Sequence, residues 1–276
     1  MADVYQRNHR AMATYFEVRI ADEEKTYAAQ AAQAAVDLLD KLEGHLSRFR
    51  ANSDIAQIAG LMPGKKMRLS EPVFACLEIA KRIEMVTLGA FSVSAAALQT
   101  QDSLPHWRLL PEEHAIECES GRLQFDLGAI GKGFALDRMA ELLRSWDCPA
   151  FLLVAGGSSI LAGAAPKETA GWSCGLGEDD APQRLFLTDT SLSGSGLAVK
   201  GSHILDPRTG EPALRQNRAW ALADTAAESD ALSTACMVLS ELEIEQVVAQ
   251  DHSWLFFLET DDGARPIGRR TLPPQA

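Results

Sequence analysis

Apolar and polar residues alternate over ATYFEVRI (13–20), the period-two pattern of a half-buried strand. Residues 21–49, ADEEKTYAAQAAQAAVDLLDKLEGHLSRF, change period: apolar positions recur at helical spacing behind an acidic start, which predicts a long amphipathic helix. LSEPVFACLEIAKRIEMVTLGAF (69–91) repeats that spacing. Ser70 is placed to cap this helix, Pro72 sits in its first turn and Gly89 ends it. Residues 98–113 read as a loop. HAIECES and RLQFDL (114–127) read as a hairpin around Ser120-Gly121. FLLVAG, WSCGLGE, RLFLTD, AWALADT and SWLFFLET read as strands. GFALDRMAELLRSW, ESDALSTACMVLSEL and IEQVVAQ read as helices. The tail, 263–276, is rich in proline and arginine and reads as frayed.

Helices and hairpin-joined strands intermix, which predicts an α+β fold with a mixed, mostly antiparallel sheet and flanking helices. No repeat or long linker divides the chain, so residues 1–276 are expected to form one domain. The 276 residues are 46% hydrophobic, enough for a substantial core. The net charge is −12 and no basic run occurs, so nucleic acid is a poor partner. No segment approaches the ~18 uninterrupted apolar residues of a membrane span. The first twenty residues lack a secretory pattern, and five scattered cysteines contain no CxxC pair. These features predict free thiols and a cytoplasmic protein.

Three stretches could carry chemistry. In DLGAIGKGFALD (126–137), a glycine-rich turn and Lys132 stand at a predicted helix N-terminus, where free amides and a positive dipole end can receive a phosphate. The spacing fits neither a P-loop nor GxGxxG, and taken alone a plain strand–helix connection is the simpler account. In SDALSTA (229–235), Asp230 and Thr234 are four residues apart and share a helix face as hard oxygen ligands for Mg²⁺; helix capping is the simpler account. In SHILDPRTGEP (202–212), His203 and Asp206 precede a turn pre-set by Pro207 and Gly210. That stretch reads as a surface turn or as a titratable group held in a cleft. AGGSSI (155–160) is a close backbone approach or a bend. SLSGSG (191–196) lacks GxSxG, so a serine hydrolase is a weak alternative.

Taken in order, DLGAIGKGFALD, GG, SG, HILDPRTG and DALSTA resemble the motif series of the FAD:protein FMN transferases, the ApbE family. AMATYFEVRI, LSRFRANSDIAQIA and LGAFSVS are similar to the family's earlier segments, so the likeness runs over roughly residues 11 to 258. The resemblance implies a T-fold-related architecture with an FAD cavity. It implies Mg²⁺-dependent transfer of the FMN half of FAD to a threonine or serine hydroxyl of an acceptor flavoprotein, with release of AMP. Carried over by motif, Asp126 and Lys132 contact FAD, and Met12, Phe49, Ala90, Phe91 and Ile204 lie at or near flavin-contacting positions. The Ala129 carbonyl, Asp230 and Thr234 hold the metal, and His203 and Asp230 stand in catalytic positions.

The sequence departs from that pattern in several places. Ser92 and Ser158 replace family carboxylates, Ala13-Thr14 stands for a Gly-Thr pair, and Trp107 is a displaced remnant of a Trp-Gly-Phe element. FAD binding alone, or FAD pyrophosphatase action without an acceptor, are the alternatives these departures leave.

Overall fold

A computed structural model of the chain describes residues 4–176, 183–197, 204–261 and 263–271. The chain opens on a hairpin of β1 (Val4–Ala11) and β2 (Thr14–Ala21), followed by α1 (Lys25–Leu46) and α2 (Asp54–Ile58). Glu24 caps α1 by accepting from the Tyr27 amide. Ala28, Ala31, Ala32, Ala35, Leu39, Leu42 and Leu46 form its buried stripe, as the spacing required. After β3 (Lys66–Arg68) comes α3 (Glu71–Val86), with Pro72 in its first turn. Gly89, at φ +78°, closes its C-terminus by donating to the Glu84 carbonyl. Ser70 holds the cap position, but its hydroxyl makes no capping bond and is buried without a partner.

The middle of the chain differs most from the sequence pattern. Residues 98–113 are not simply a loop: a short 3-10 turn at Ala95–Gln99 is followed by β4 (His106–Leu110). β4 and β3 both pair with β5 (Ala115–Ser120), so β5 turns back on the strand before it. RLQFDL therefore forms no hairpin with β5. Its alternation still has a cause, because Leu123, Phe125 and Leu127 are buried while the segment runs extended over the core without a ladder. Trp107 is likewise a core residue, packed on Phe125.

The second half supplies α4 (Gly131–Ser145), β6 (Phe151–Ala155), β7 (Ser159–Ala162), β8 (Trp172–Leu176), β9 (Gln183–Leu187), β10 (Thr190–Gly196), β11 (Arg218–Ala223), α5 (Ala226–Cys236), α6 (Glu241–Val248), β12 (Leu255–Thr260) and β13 (Gly263–Gly268). The two helices read over 228–242 and 244–250 are both present, but the first ends at Cys236 and the second starts earlier, at Glu241. A capping box between Ser240 and Glu243 starts α6. The tail read as frayed contains an edge strand, β13, where Pro266 is tolerated because an edge position can forgo a donor.

One eight-stranded antiparallel sheet, in the order β1-β2-β6-β7-β10-β11-β12-β13, organises the fold. Its central strands are buried on both faces. Phe16, Val18, Ile20, Phe151, Leu153, Phe256 and Leu258 face the helices, whereas Leu152, Leu222, Leu255 and Phe257 pack with Trp172, Leu176, Leu185 and Leu187 of the β8–β9 hairpin. Where α5 lies on the sheet the facing residues are small: Ala219, Ala221 and Ala223 of β11, and Ser191, Ser193 and Ser195 of β10. That brings α5 close to the backbone of the sheet. Among the described residues no helix is long and apolar enough to cross a membrane.

Candidate functional site

The chemistry-bearing segments gather at one end of the sheet, where β2 begins, β6 ends, β7 begins and β10 ends. The glycine turn precedes α4 there, and α5 crosses α4 beside it. At the crossing the backbones nearly touch: a Cβ on Gly133 would lie 2.0 Å from the Ala226 carbonyl oxygen. The close approach that Gly133 permits is therefore to another helix and not to a ligand. Gly128 serves the turn itself, donating its amide to the Asp126 carboxylate at 2.9 Å. The cap residue of α4, Ile130, offers its first turn no side-chain bond, and that turn starts at Gly131.

Asp230 sits at the centre. The capping account of SDALSTA fails, because α5 begins at Ala226 and its cap is Thr225, which accepts from the Glu228 amide. Asp230 lies one turn inside the helix and is 4% exposed. A buried carboxylate needs partners, and three are present. The Gly133 amide donates to Oδ2 at 2.8 Å, Lys132 Nζ stands 3.4 Å from the same oxygen, and the Ser159 hydroxyl donates to Oδ1. Lys132 also lies 3.4 Å from the Gly128 carbonyl. The carboxylate thus ties α5 to residues 97 and 98 positions upstream in the chain.

Thr234 follows on the same face, its hydroxyl 3.3 Å from the Asp230 carbonyl and 3.2 Å from the Ser195 hydroxyl. It ends a buried seam in which Ser191 and Ser193 meet Ser229, and Ser195 meets Ser233, across the β10–α5 interface. The serines of SLSGSG fill that seam, which accounts for them without hydrolase chemistry. Ala129 lies in the turn, partly buried against the core. Among the described residues no three His, Cys, Asp or Glu side chains converge on a metal site. One carboxylate, one hydroxyl and a carbonyl remain the available oxygen set, and it is the hard-donor chemistry Mg²⁺ takes.

The flank is more open. Met12 and Ala13 make the β1–β2 turn with φ of +50° and +58°, a conformation costly for side-chain-bearing residues. Glu43 supports it, accepting from the Met12 amide at 2.9 Å and from Arg50. Phe49 is 81% exposed beneath the Arg48 guanidinium, which pairs with Asp126 at 2.9 Å. Gly156, at φ +61°, backs onto Thr14, so AGGSSI is a bend that packs on the β1–β2 hairpin. Ala90, Phe91 and Ile204 are buried; Ser92 donates no carboxylate here but accepts from the Ser94 amide.

The DPRTG turn forms as read. Gly210 has φ +77°, and Asp206 accepts from Arg208, whose guanidinium also reaches Glu243 of α6. Backbone and side-chain donation from Ser240, with Arg208 beside it, lowers Glu243 to about 2. His203 lies outside the described residues.

Four contacts had no part in the sequence reading: Ser159 on Asp230, Arg48 on Asp126, Glu43 on Met12, and Asp137 on α5. Asp137 of α4 accepts from the Ala226 and Ala227 amides at 2.7 and 2.8 Å. Burial raises it to about 7 against the pull of those two amides and Arg138, with the Asp230 charge adding to the rise. Its signal was in the sequence, since it lies four residues after Gly133 and so on the same helix face.

A family model described as the ApbE family matches residues 12–256. Among curated relatives, an FAD:protein FMN transferase of Klebsiella pneumoniae is 22% identical, over 87% of this chain and 80% of its own length. One of Treponema pallidum is 26% identical, over 85% and 78%. Among solved structures, the flavin transferase ApbE of Vibrio cholerae superposes with a TM-score of 0.82 at 19% identity, covering 96% of this chain and 97% of that one. An ApbE protein of Thermotoga maritima gives 0.80 at 21% identity, with the same coverage.

Proposed function

The chain belongs to the ApbE family, and from that premise we propose that it transfers the FMN half of FAD to a threonine or serine hydroxyl of an acceptor flavoprotein, releasing AMP with Mg²⁺ as cofactor. The observation that carries this reading is the convergence of Lys132 and the Gly133 amide on the buried Asp230 carboxylate. A buried carboxylate beside a cation at the positive end of a helix is a setting that would suit a diphosphate and a hard metal ion.

In this reading the Asp230 carboxylate, the Thr234 hydroxyl and the Ala129 carbonyl hold Mg²⁺. When bound, the ion supplies charge neutralisation on the diphosphate. The remaining work belongs to the chain. Lys132 and the positive dipole end of α4 receive phosphate oxygens, an arrangement suited to phosphoryl transfer, which depends mainly on position and charge. The acceptor hydroxyl oxygen forms a bond to the FMN phosphorus, and the bridging P–O bond breaks, so the electron pair leaves with AMP. The hydroxyl proton passes to a nearby base, for which His203 is the candidate. Asp126, held by Arg48, orients FAD from the turn. Met12, Phe49, Ala90, Phe91 and Ile204 line the flavin side. Five buried free thiols support a reducing compartment, the cytoplasm.

The test is incubation with FAD, Mg²⁺ and an acceptor flavoprotein, followed by intact-mass analysis of the acceptor and chromatography of the nucleotides. We expect a mass gain equal to FMN together with AMP. Free FMN and AMP without acceptor gain would assign a pyrophosphatase instead, and intact FAD with every acceptor would leave binding alone.

A further inference from the structure

We propose that Asp137 is a positioning residue that sets the Asp230 carboxylate against Lys132 by locking α5 onto α4, a role that rests on the transferase reading above. The first amides of a helix have no partner within it, and they are ordinarily met by the helix's own cap. In α5 that division is unusual. Thr225 takes only the Glu228 amide, while the Ala226 and Ala227 amides are taken by a carboxylate from a different helix.

Asp137 follows Gly133 by one helical turn, so both project toward α5 from one face of α4. Gly133 lets the backbones meet, and Asp137 fixes what they meet as. Two bonds from one carboxylate to consecutive amides fix the roll of α5 as well as its distance. Asp230 lies three residues beyond Ala227, within one turn, so a change in roll moves its carboxylate directly away from the Gly133 amide and Lys132. The acidic residue that closes DLGAIGKGFALD thus acts on the second motif, ninety residues downstream.

The test compares Asp137→Asn with Thr225→Ala in the full chain. Both loosen the start of α5, but only the first unties it from α4. Four quantities are read: the melting temperature, Mn²⁺ affinity in the presence of FAD from the electron paramagnetic resonance of free Mn²⁺, and kcat and KM for transfer. We expect Asp137→Asn to weaken Mn²⁺ binding and lower kcat by about 10- to 100-fold, the range for residues that orient a metal ligand, with KM for FAD within about twofold of the unaltered protein. Thr225→Ala should lower the melting temperature alone. If Asp137→Asn melts lower yet binds Mn²⁺ within twofold of the unaltered protein, Asp137 is only a stabilising cap and the proposal is overturned. If the unaltered protein binds Mn²⁺ but transfers nothing, the transferase reading fails while the affinity comparison still decides this one; absence of Mn²⁺ binding overturns both. Amide exchange in the unaltered protein is a check that needs no variant. The Ala226 and Ala227 amides should be protected at least a hundredfold, and exchange at open-chain rates would refute the lock.

Discussion

The α4–α5 junction and the flank made by the β1–β2 turn and the segment after α1 meet at the Arg48–Asp126 ion pair, yet they are built in opposite ways. At the junction the central carboxylate is met by three donors and is 4% exposed; on the flank Phe49 is 81% exposed. The charged half of the candidate site is enclosed by its own hydrogen bonds, whereas Phe49 on the flank stands open to solvent. That division suits a dinucleotide. A diphosphate gains most from pre-set charges, since reorganising dipoles around it is costly, and a flat ring gains mainly from contact area that can close afterwards.

The comparison can be broken or sharpened by substitution. The largest effect should come from Asp230→Ala, which removes the anchor of the junction. We expect transfer to fall at least about a thousandfold, comparable to losing a principal charge-stabilising group, read as AMP released under saturating Mg²⁺. A fully active variant would make the junction merely structural. Gly133→Ala comes next. A methyl group 2.0 Å from a carbonyl oxygen forces the helices apart, at a cost of at least about 3 kcal/mol, the upper end for overpacking. Calorimetry should show the melting temperature falling by about 2–4 °C for each kcal/mol.

On the flank the expectation reverses. Phe49→Ala should leave stability within about 0.5 kcal/mol, since the ring touches little. FAD affinity, measured by flavin fluorescence, should weaken about tenfold through loss of a stacking surface. A melting shift without an affinity change would contradict the division drawn here. The smallest effect should come from Glu243→Gln, away from both regions. Glu243 is lowered to about 2 in the folded chain from an ordinary value of 4.5. Its contribution is therefore complete above about pH 4.5 and is lost as the pH falls toward 2. The substitution should lower stability modestly and evenly above about pH 4.5, with the deficit vanishing as the pH falls toward 2, read from acid unfolding followed by circular dichroism.

How legible each part was follows from how local its cause is. α1, α3 and the strands β2, β6, β11 and β12 were readable because their stripes and alternations record burial, whereas β7 and β10, central but short or rich in serine and glycine, were not; Gly89 and Gly210 were readable because a positive φ is a local demand. RLQFDL shows the limit of that signal: alternation reports which side chains are buried, and only the path of the chain decides whether a strand partner is present. β1 and β13 were missed because edge strands need not bury a face, so their sequences carry no period.

By itself the sequence determined the α+β class, the family, and the identity of Lys132, Asp230 and Thr234 as the chemistry to watch, since motif order and residue type survive without coordinates. What Asp230 does was beyond it. Capping and ligation fit the same seven residues, and capping of α5 was excluded only by where that helix begins. Gly133 changed meaning in the same way, from room for a ligand to room for Ala226. Those decisions depend on contacts between residues nearly a hundred positions apart, and distances of that kind are set by the packing of the sheet and helices together.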